Sequence, residues 1–144
     1  RAPPLAGMKV LELEGLAAVP LCAMILADFG ADVIRVDRRG REPHFGTTSC
    51  GRSKRCVQLD LKDSTDKEVF LRLSDSADVL IEPYRPGVME SLGLGPEVLR
   101  ARNDRLVYTR LTGWGQDGPL ASTAGHDINY IGLSGTLSLI VRGA

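Results

Sequence analysis

A chain of 144 residues that is 43% hydrophobic can bury one core, so one domain or part of one is expected. Its formal net charge of zero excludes a generally basic protein that scans nucleic acid, and no zinc-binding or aromatic-rich nucleic-acid module occurs. No apolar run approaches the roughly 20 residues that a bilayer span needs, and three cysteines without metal-site spacing suit a reduced intracellular compartment.

In chain order, residues 9–13 (KVLEL) predict a strand and residues 20–29 (PLCAMILADF) a helix, with Pro20 in the first turn and Gly30 as its stop. Asp28 is the only charge in that helix, which predicts burial nearly all round. Residues 32–36 (DVIRV) read as a second strand. A long polar loop follows to residue 55, and residues 56–61 return to strand. Ser64 is the expected cap of a helix running to about residue 76, with Val69, Phe70, Leu73 and Ala77 as its apolar stripe. A fourth strand spans residues 79–82. Short helical pieces at 88–92 and 96–102 and a fifth strand at 106–111 come next. A glycine-rich loop then leads into a helix beginning near His126 or Asp127. Alternating strands and helices at this spacing predict an α/β fold: a parallel sheet with helices on both faces.

Charge is uneven along the chain. Residues 35–62 hold eight Lys or Arg against three Asp or Glu, which suits one anionic ligand as well as an ordinary solvated surface. Ligands of open parallel sheets bind beyond the C-terminal strand ends, where Arg38, Lys62 and Arg85 follow strands two, three and four. Arg39, Arg41, Arg52, Lys54 and Arg55 are further candidates, most of them expected to be plain surface charge. The first strand-to-helix turn lacks the glycine fingerprint of dinucleotide folds and no P-loop occurs, so NAD and ATP are not expected. Asp37 sits where a ribose-binding acid would sit in such a fold, but without those glycines it reads as a surface aspartate. Of the two histidines, His44 reads as a surface residue. His126 lies where the glycine-rich loop enters a helix, and imidazole can take and give a proton near neutral pH. From residue type alone, a structural role for His126 is the stronger reading. Asp127, adjacent to it, reads as a cap or dipole partner of the helix start and not as its orienting acid.

Several segments together carry a resemblance: KVLEL at 9–13, CAMILADFGA at 22–31, RVDR at 35–38, DVLIEPYRPGV at 78–88, LGLGP at 92–96, TGWGQ at 112–116 and GHDINY at 125–130. In these the chain resembles the alpha-methylacyl-CoA racemases of the family III CoA-transferase superfamily. The resemblance implies a Rossmann-like parallel sheet, with residues 1–144 as the N-terminal part of the CoA-binding large domain of an interlaced homodimer. The second domain and C-terminal return would lie beyond it, so a fragment or truncated product is expected. It implies that Arg38 contacts CoA, that Leu59, Asp60, Leu61 and Lys62 line the nucleotide and pantetheine, and that Gly125, Asp127, Ile128, Asn129 and Tyr130 touch the acyl thioester. His126 matches the catalytic histidine. Arg85 joins the binding set from its strand-end position.

The implied reaction interconverts (R)- and (S)-2-methylacyl-CoA by removal and return of the α-proton. No cofactor beyond the substrate's own CoA is implied, and no metal. The implied location is intracellular: peroxisome or mitochondrion in a eukaryote, cytoplasm in a bacterium. Two departures stand out. Ala17-Ala18-Val19-Pro20 replaces a Pro-Gly-Pro-like turn near the substrate, and the family's second acid–base group, an aspartate in an Asp-Phe-Gly-Gly-like motif, would follow Ala144. The alternatives are a family III CoA-transferase fragment, whose members generally carry an aromatic residue in place of His126, and a truncated non-catalytic product with exposed apolar surface.

Overall fold

The computed structural model describes residues 1–41 and 49–140. These form two compact units, Arg1–Leu111 and Thr112–Ala144.

In the first unit, strands β1 (Lys9–Leu13), β2 (Asp32–Arg38), β3 (Lys54–Leu59), β4 (Val79–Glu82) and β5 (Val107–Arg110) make one sheet in the order β3-β2-β1-β4-β5. Every pairing is parallel. Strand order reverses between β1 and β4, which opens a crevice at the carboxyl edge of the sheet. The sheet carries helices α1 (Ala18–Asp28), α2 (Ser64–Asp75), α3 (Val88–Ser91) and α4 (Pro96–Arg102).

Period-two alternation sorts the side chains onto two faces. Leu11, Leu13, Val36 and Leu80 pack with Phe70 of α2, Met89 of α3 and Leu99 of α4. On the opposite face, Val10, Val33 and Ile81 pack with Val19, Ala23 and Ala27 of α1. Helices therefore cover both faces, as the alternation predicts. One expectation for α1 fails: Leu21, Ile25 and Phe29 are exposed, so the helix is buried on one side only. Its outward Asp28 pairs with Arg52 at 2.6 Å.

The face under α1 also holds charge. Lys54 Nζ donates to Glu12 Oε2 at 2.7 Å and to the Pro20 carbonyl at 2.8 Å, with both side chains out of solvent. Burial holds the Glu12 carboxyl above the usual carboxylate value, against the pull of Lys54. The α2 start differs from expectation too. Asp63, not Ser64, is the cap: its backbone is extended and its carboxylate accepts the N–H groups of Thr65 and Asp66, which leaves Ser64 as the first helical residue.

The second unit contains α5 (Asp127–Leu133) and α6 (Leu137–Ile140). Trp114 and Tyr130 meet edge to face with ring centroids 5.0 Å apart. Gly113 and Gly125 are required beside them. A Cβ on Gly113 would lie 2.0 Å from the Tyr130 hydroxyl, and one on Gly125 would lie 2.8 Å from Trp114 Nε1. Among the described residues no helix is long and apolar enough to cross a membrane.

Candidate functional site

A cleft of about 240 Å³ opens where the strand order reverses. Glu14, Gly15 and Leu16 enter it from the end of β1, Val36, Asp37 and Arg38 from β2, and Leu59, Asp60, Leu61 and Lys62 from β3 and the turn after it. Arg41 lies on the loop that leaves β2, and Tyr84, Val88 and Leu92 form the wall beyond β4. Gly15 is needed because the β1 and β4 exits pass each other closely: a Cβ there would meet Pro83 Cγ at 2.8 Å.

The turn from Leu59 to Lys62 is shaped from the α2 start. Asp66, buried in the first turn of α2, accepts the Asp60 N–H at 2.7 Å and pairs with Arg39 at 2.7 Å. Asp60 in turn accepts the Lys62 N–H at 3.0 Å. This side-chain network satisfies backbone donors that have left the ladder, and the segment is held in one geometry at the cleft mouth.

Ion pairing sorts the basic residues. Arg35 is bidentate on Asp37 at 2.8 Å, Lys54 is on Glu12, Arg52 on Asp28 and Arg55 on Asp32. Those cations are committed to structure. Arg38, Arg41 and Lys62 line the cleft and have no ion pair among the described residues. Arg85 is exposed and does not line the cleft. Asp37 is not the surface residue expected. It is 2% exposed, clamped by Arg35 and by a bond from the Cys56 thiol at 3.0 Å. The carboxylate that would meet a ribose in a dinucleotide fold is thereby occupied.

Glu14, Tyr84 and, among the apolar ones, Leu16 are lining residues that the sequence reading did not single out. The first is signalled by its position at the β1 exit, where a sheet of this order places its crevice. Burial, with Glu14 and Glu82 nearby, pushes the Tyr84 hydroxyl up to about 12, so it stays protonated and able to donate. The mixture of apolar wall and a few cations suits a ligand with an anionic end and an apolar body.

His126 belongs to the second unit. It is exposed, stands at the N-cap of α5 in extended geometry, and donates its backbone N–H to Asn129 Oδ1 at 3.0 Å. Asp127 is therefore the first helical residue, where its charge favours the positive end of the helix, and it is not the cap. Ile128 is exposed, and Tyr130 is half-buried against Trp114 between Gly113 and Gly125. His44 lies outside the described residues. Among the described residues no cluster of His, Cys, Asp and Glu could hold a metal ion.

Comparison with known proteins follows the same lines. Human alpha-methylacyl-CoA racemase is 54% identical over 138 residues, covering 96% of this chain and 36% of the human protein. A probable fatty acyl-CoA transferase of Mycobacterium tuberculosis is 42% identical over 141 residues, covering 88% of this chain and 36% of that protein. A crystal structure of an M. tuberculosis protein, 42% identical, superposes with a TM-score of 0.84 over 94% of this chain and 40% of the other. A CaiB/BaiF family protein from Brucella suis, 35% identical, superposes at 0.83 over 94% of this chain and 40% of the other. The chain thus spans little more than a third of the curated relatives it matches. A short-chain dehydrogenase/reductase family protein at 17% identity and a TM-score of 0.56 shares the fold alone. The family model for CoA-transferase family III matches residues 5–143, and the chain belongs to that family.

Proposed function

We propose that this chain is the CoA-binding part of an enzyme that interconverts (R)- and (S)-2-methylacyl-CoA thioesters. The observation that carries the CoA reading is the cleft: Arg38, Arg41 and Lys62 converge on it without ion pairs among the described residues, beside an apolar wall. Guanidinium and ammonium groups meet phosphate oxygens, and the apolar wall takes the less polar arm of the thioester. Arg38 and the segment Leu59, Asp60, Leu61 and Lys62 fill the nucleotide and pantetheine roles in this reading. Arg85 is left for the outer rim.

The preference for racemisation over CoA transfer is supported by 54% identity to a racemase, against 37% to a succinate–glutarate CoA-transferase of Agrobacterium fabrum. His126 removes the proton next to the thioester carbonyl. Gly125, Asp127, Ile128, Asn129 and Tyr130 surround the acyl thioester, with backbone N–H groups available to the enolate oxygen. A second acid–base group, supplied by chain outside this stretch, returns a proton to the opposite face. The reaction as proposed uses no cofactor beyond the CoA of the substrate. Pairing of two full-length copies belongs to the same reading, as does a peroxisomal or mitochondrial location in a eukaryote or a cytoplasmic one in a bacterium.

The test is a chimera in which this chain replaces the matching segment of the human racemase. With 2-methylacyl-CoA in deuterated water it is expected to exchange the α-proton, and His126→Ala is expected to slow exchange by about 100-fold or more. Exchange indifferent to that substitution sinks the catalytic assignment. CoA transfer between carboxylates without α-exchange selects the transferase reading, which the M. tuberculosis and A. fabrum relatives favour. The 144-residue chain alone is expected to be inactive.

A further inference from the structure

β1 ends at Leu13, and the Glu14 N–H extends its ladder by one bond, to the Val36 carbonyl at 3.0 Å. The chain then turns away at Gly15, under Pro83. β2 runs on to Arg38. In a parallel pair alternate residues aim their N–H groups at the same neighbour, so the Arg38 N–H faces β1 where no β1 carbonyl remains. Glu14 fills that place with its side chain: Oε2 accepts the Arg38 N–H at 3.0 Å, and the residue is 9% exposed. On its other side Arg38 is in register with Leu59, whose carbonyl takes the Arg39 N–H at 3.2 Å. The backbone of Arg38 is thus held from both neighbouring strands while its side chain lines the cleft.

We infer that Glu14 is a positioning residue for Arg38, setting where the guanidinium meets the phosphate-bearing end of the ligand; this rests on the CoA reading of the cleft. A carboxylate beside an anion site carries an electrostatic penalty that only a structural task offsets. The acceptor and the charge are separable. Glu14→Gln keeps an oxygen at the same reach and removes the negative charge. Glu14→Asp keeps the charge and falls one methylene short.

Calorimetric titration of the 144-residue chain with CoA tests the inference. Glu14→Ala and Glu14→Asp are each expected to weaken binding about tenfold, as loss of the acceptor that holds the backbone of the anchoring residue does. Glu14→Gln is expected to bind within about threefold of the parent or more tightly, as loss of the anion repulsion allows. Added to Arg38→Ala, Glu14→Ala is expected to have no further effect, the coupling of residues that act through one another. Multiplicative losses in the double variant, or a Gln variant as weak as Ala, overturn the positioning role. Thermal melting of each variant separates a folding defect, and the Asp and Gln variants carry the test if Ala does not fold. Binding by the parent that Arg38→Ala leaves unchanged overturns Arg38 as anchor. Absence of CoA binding by the parent overturns the CoA reading, and this inference with it.

Discussion

The two units of this chain are built on opposite terms. In Arg1–Leu111 the central strand β1 has four of its five residues buried, and helices seal both faces of its sheet. In Thr112–Ala144 no described residue is buried, and Leu133, Leu139 and Ile140 are 72%, 85% and 63% exposed. The first unit buries a two-sided core of its own, although Leu21, Ile25 and Phe29 stay exposed, and leaves three cations facing a cleft. The second holds His126 on a short helix whose apolar side chains lack cover from within the unit. The ligand-handling half of the proposed chemistry is thus preorganised by its own core, and the proton-transfer half is not.

The largest expected effect breaks that contrast at its most costly point. Lys54→Met removes the ion-pair partner of Glu12, leaving a carboxylate with no exposure inside the sheet. Removing one member of a buried ion pair costs about 3–5 kcal/mol, against a total of about 5–15 kcal/mol for a domain. Leu139→Ala in the second unit is expected to stay within about 0.5 kcal/mol, because the side chain is already in water. Urea unfolding of both variants decides it. Equal losses would mean that the second unit is as tightly built as the first.

Next in size is Gly15→Ala, which sharpens the account of the cleft. The new methyl meets Pro83 Cγ at 2.8 Å and Cβ at 3.0 Å, and a proline ring cannot swing away as a flexible side chain does. Overpacking of this kind costs about 1–3 kcal/mol. Because Gly15 also lines the cleft, the same variant is expected to lose CoA affinity. An unfolding midpoint equal to the parent's would show that the two strand exits are free to separate.

Much of the fold was legible because its periodicities are strong. The bounds of β1, β4 and α4 coincide with those read from the residues. β3 was misplaced by two residues at each end, Lys54–Leu59 in place of 56–61. Lys54 and Arg55 look like loop residues until their partners Glu12 and Asp32, 42 and 23 positions away, are brought alongside by the sheet. The exposed side of α1 was hidden for a different reason: a helix with one charge has no polar stripe to report which way it faces. At the cleft, Arg38 and Lys62 were legible from strand ends. The burial of Asp37 was available in principle, since Arg35 lies two residues away on the same strand face. Glu14 was not, because its role depends on β2 outrunning β1, a property of two strands together.

The smallest expected effect tests whether the first unit holds Glu82 out of water. Glu82 is 2% exposed, and its carboxylate accepts the Tyr84 N–H at 2.7 Å, with Arg110 3.5 Å away. Burial raises it above the ordinary value of 4.5, the hydrogen bond and Arg110 notwithstanding. A carboxyl raised in the folded state binds its proton more tightly there than when unfolded. Its contribution is therefore fully present below 4.5 and is lost as pH rises through the folded value. Glu82→Gln keeps an acceptor for Tyr84 and removes the titration. The variant's stability advantage over the parent should be smallest at acid pH, grow as pH rises past 4.5, and level off once the folded carboxyl is ionised. Asp28 and Asp75, held below the ordinary range by Arg52 and Arg102, act with the opposite sign but cancel in the difference, since both proteins carry them. A difference that is flat in pH would place Glu82 in water, and the wall between β4 and the cleft would then be open to solvent.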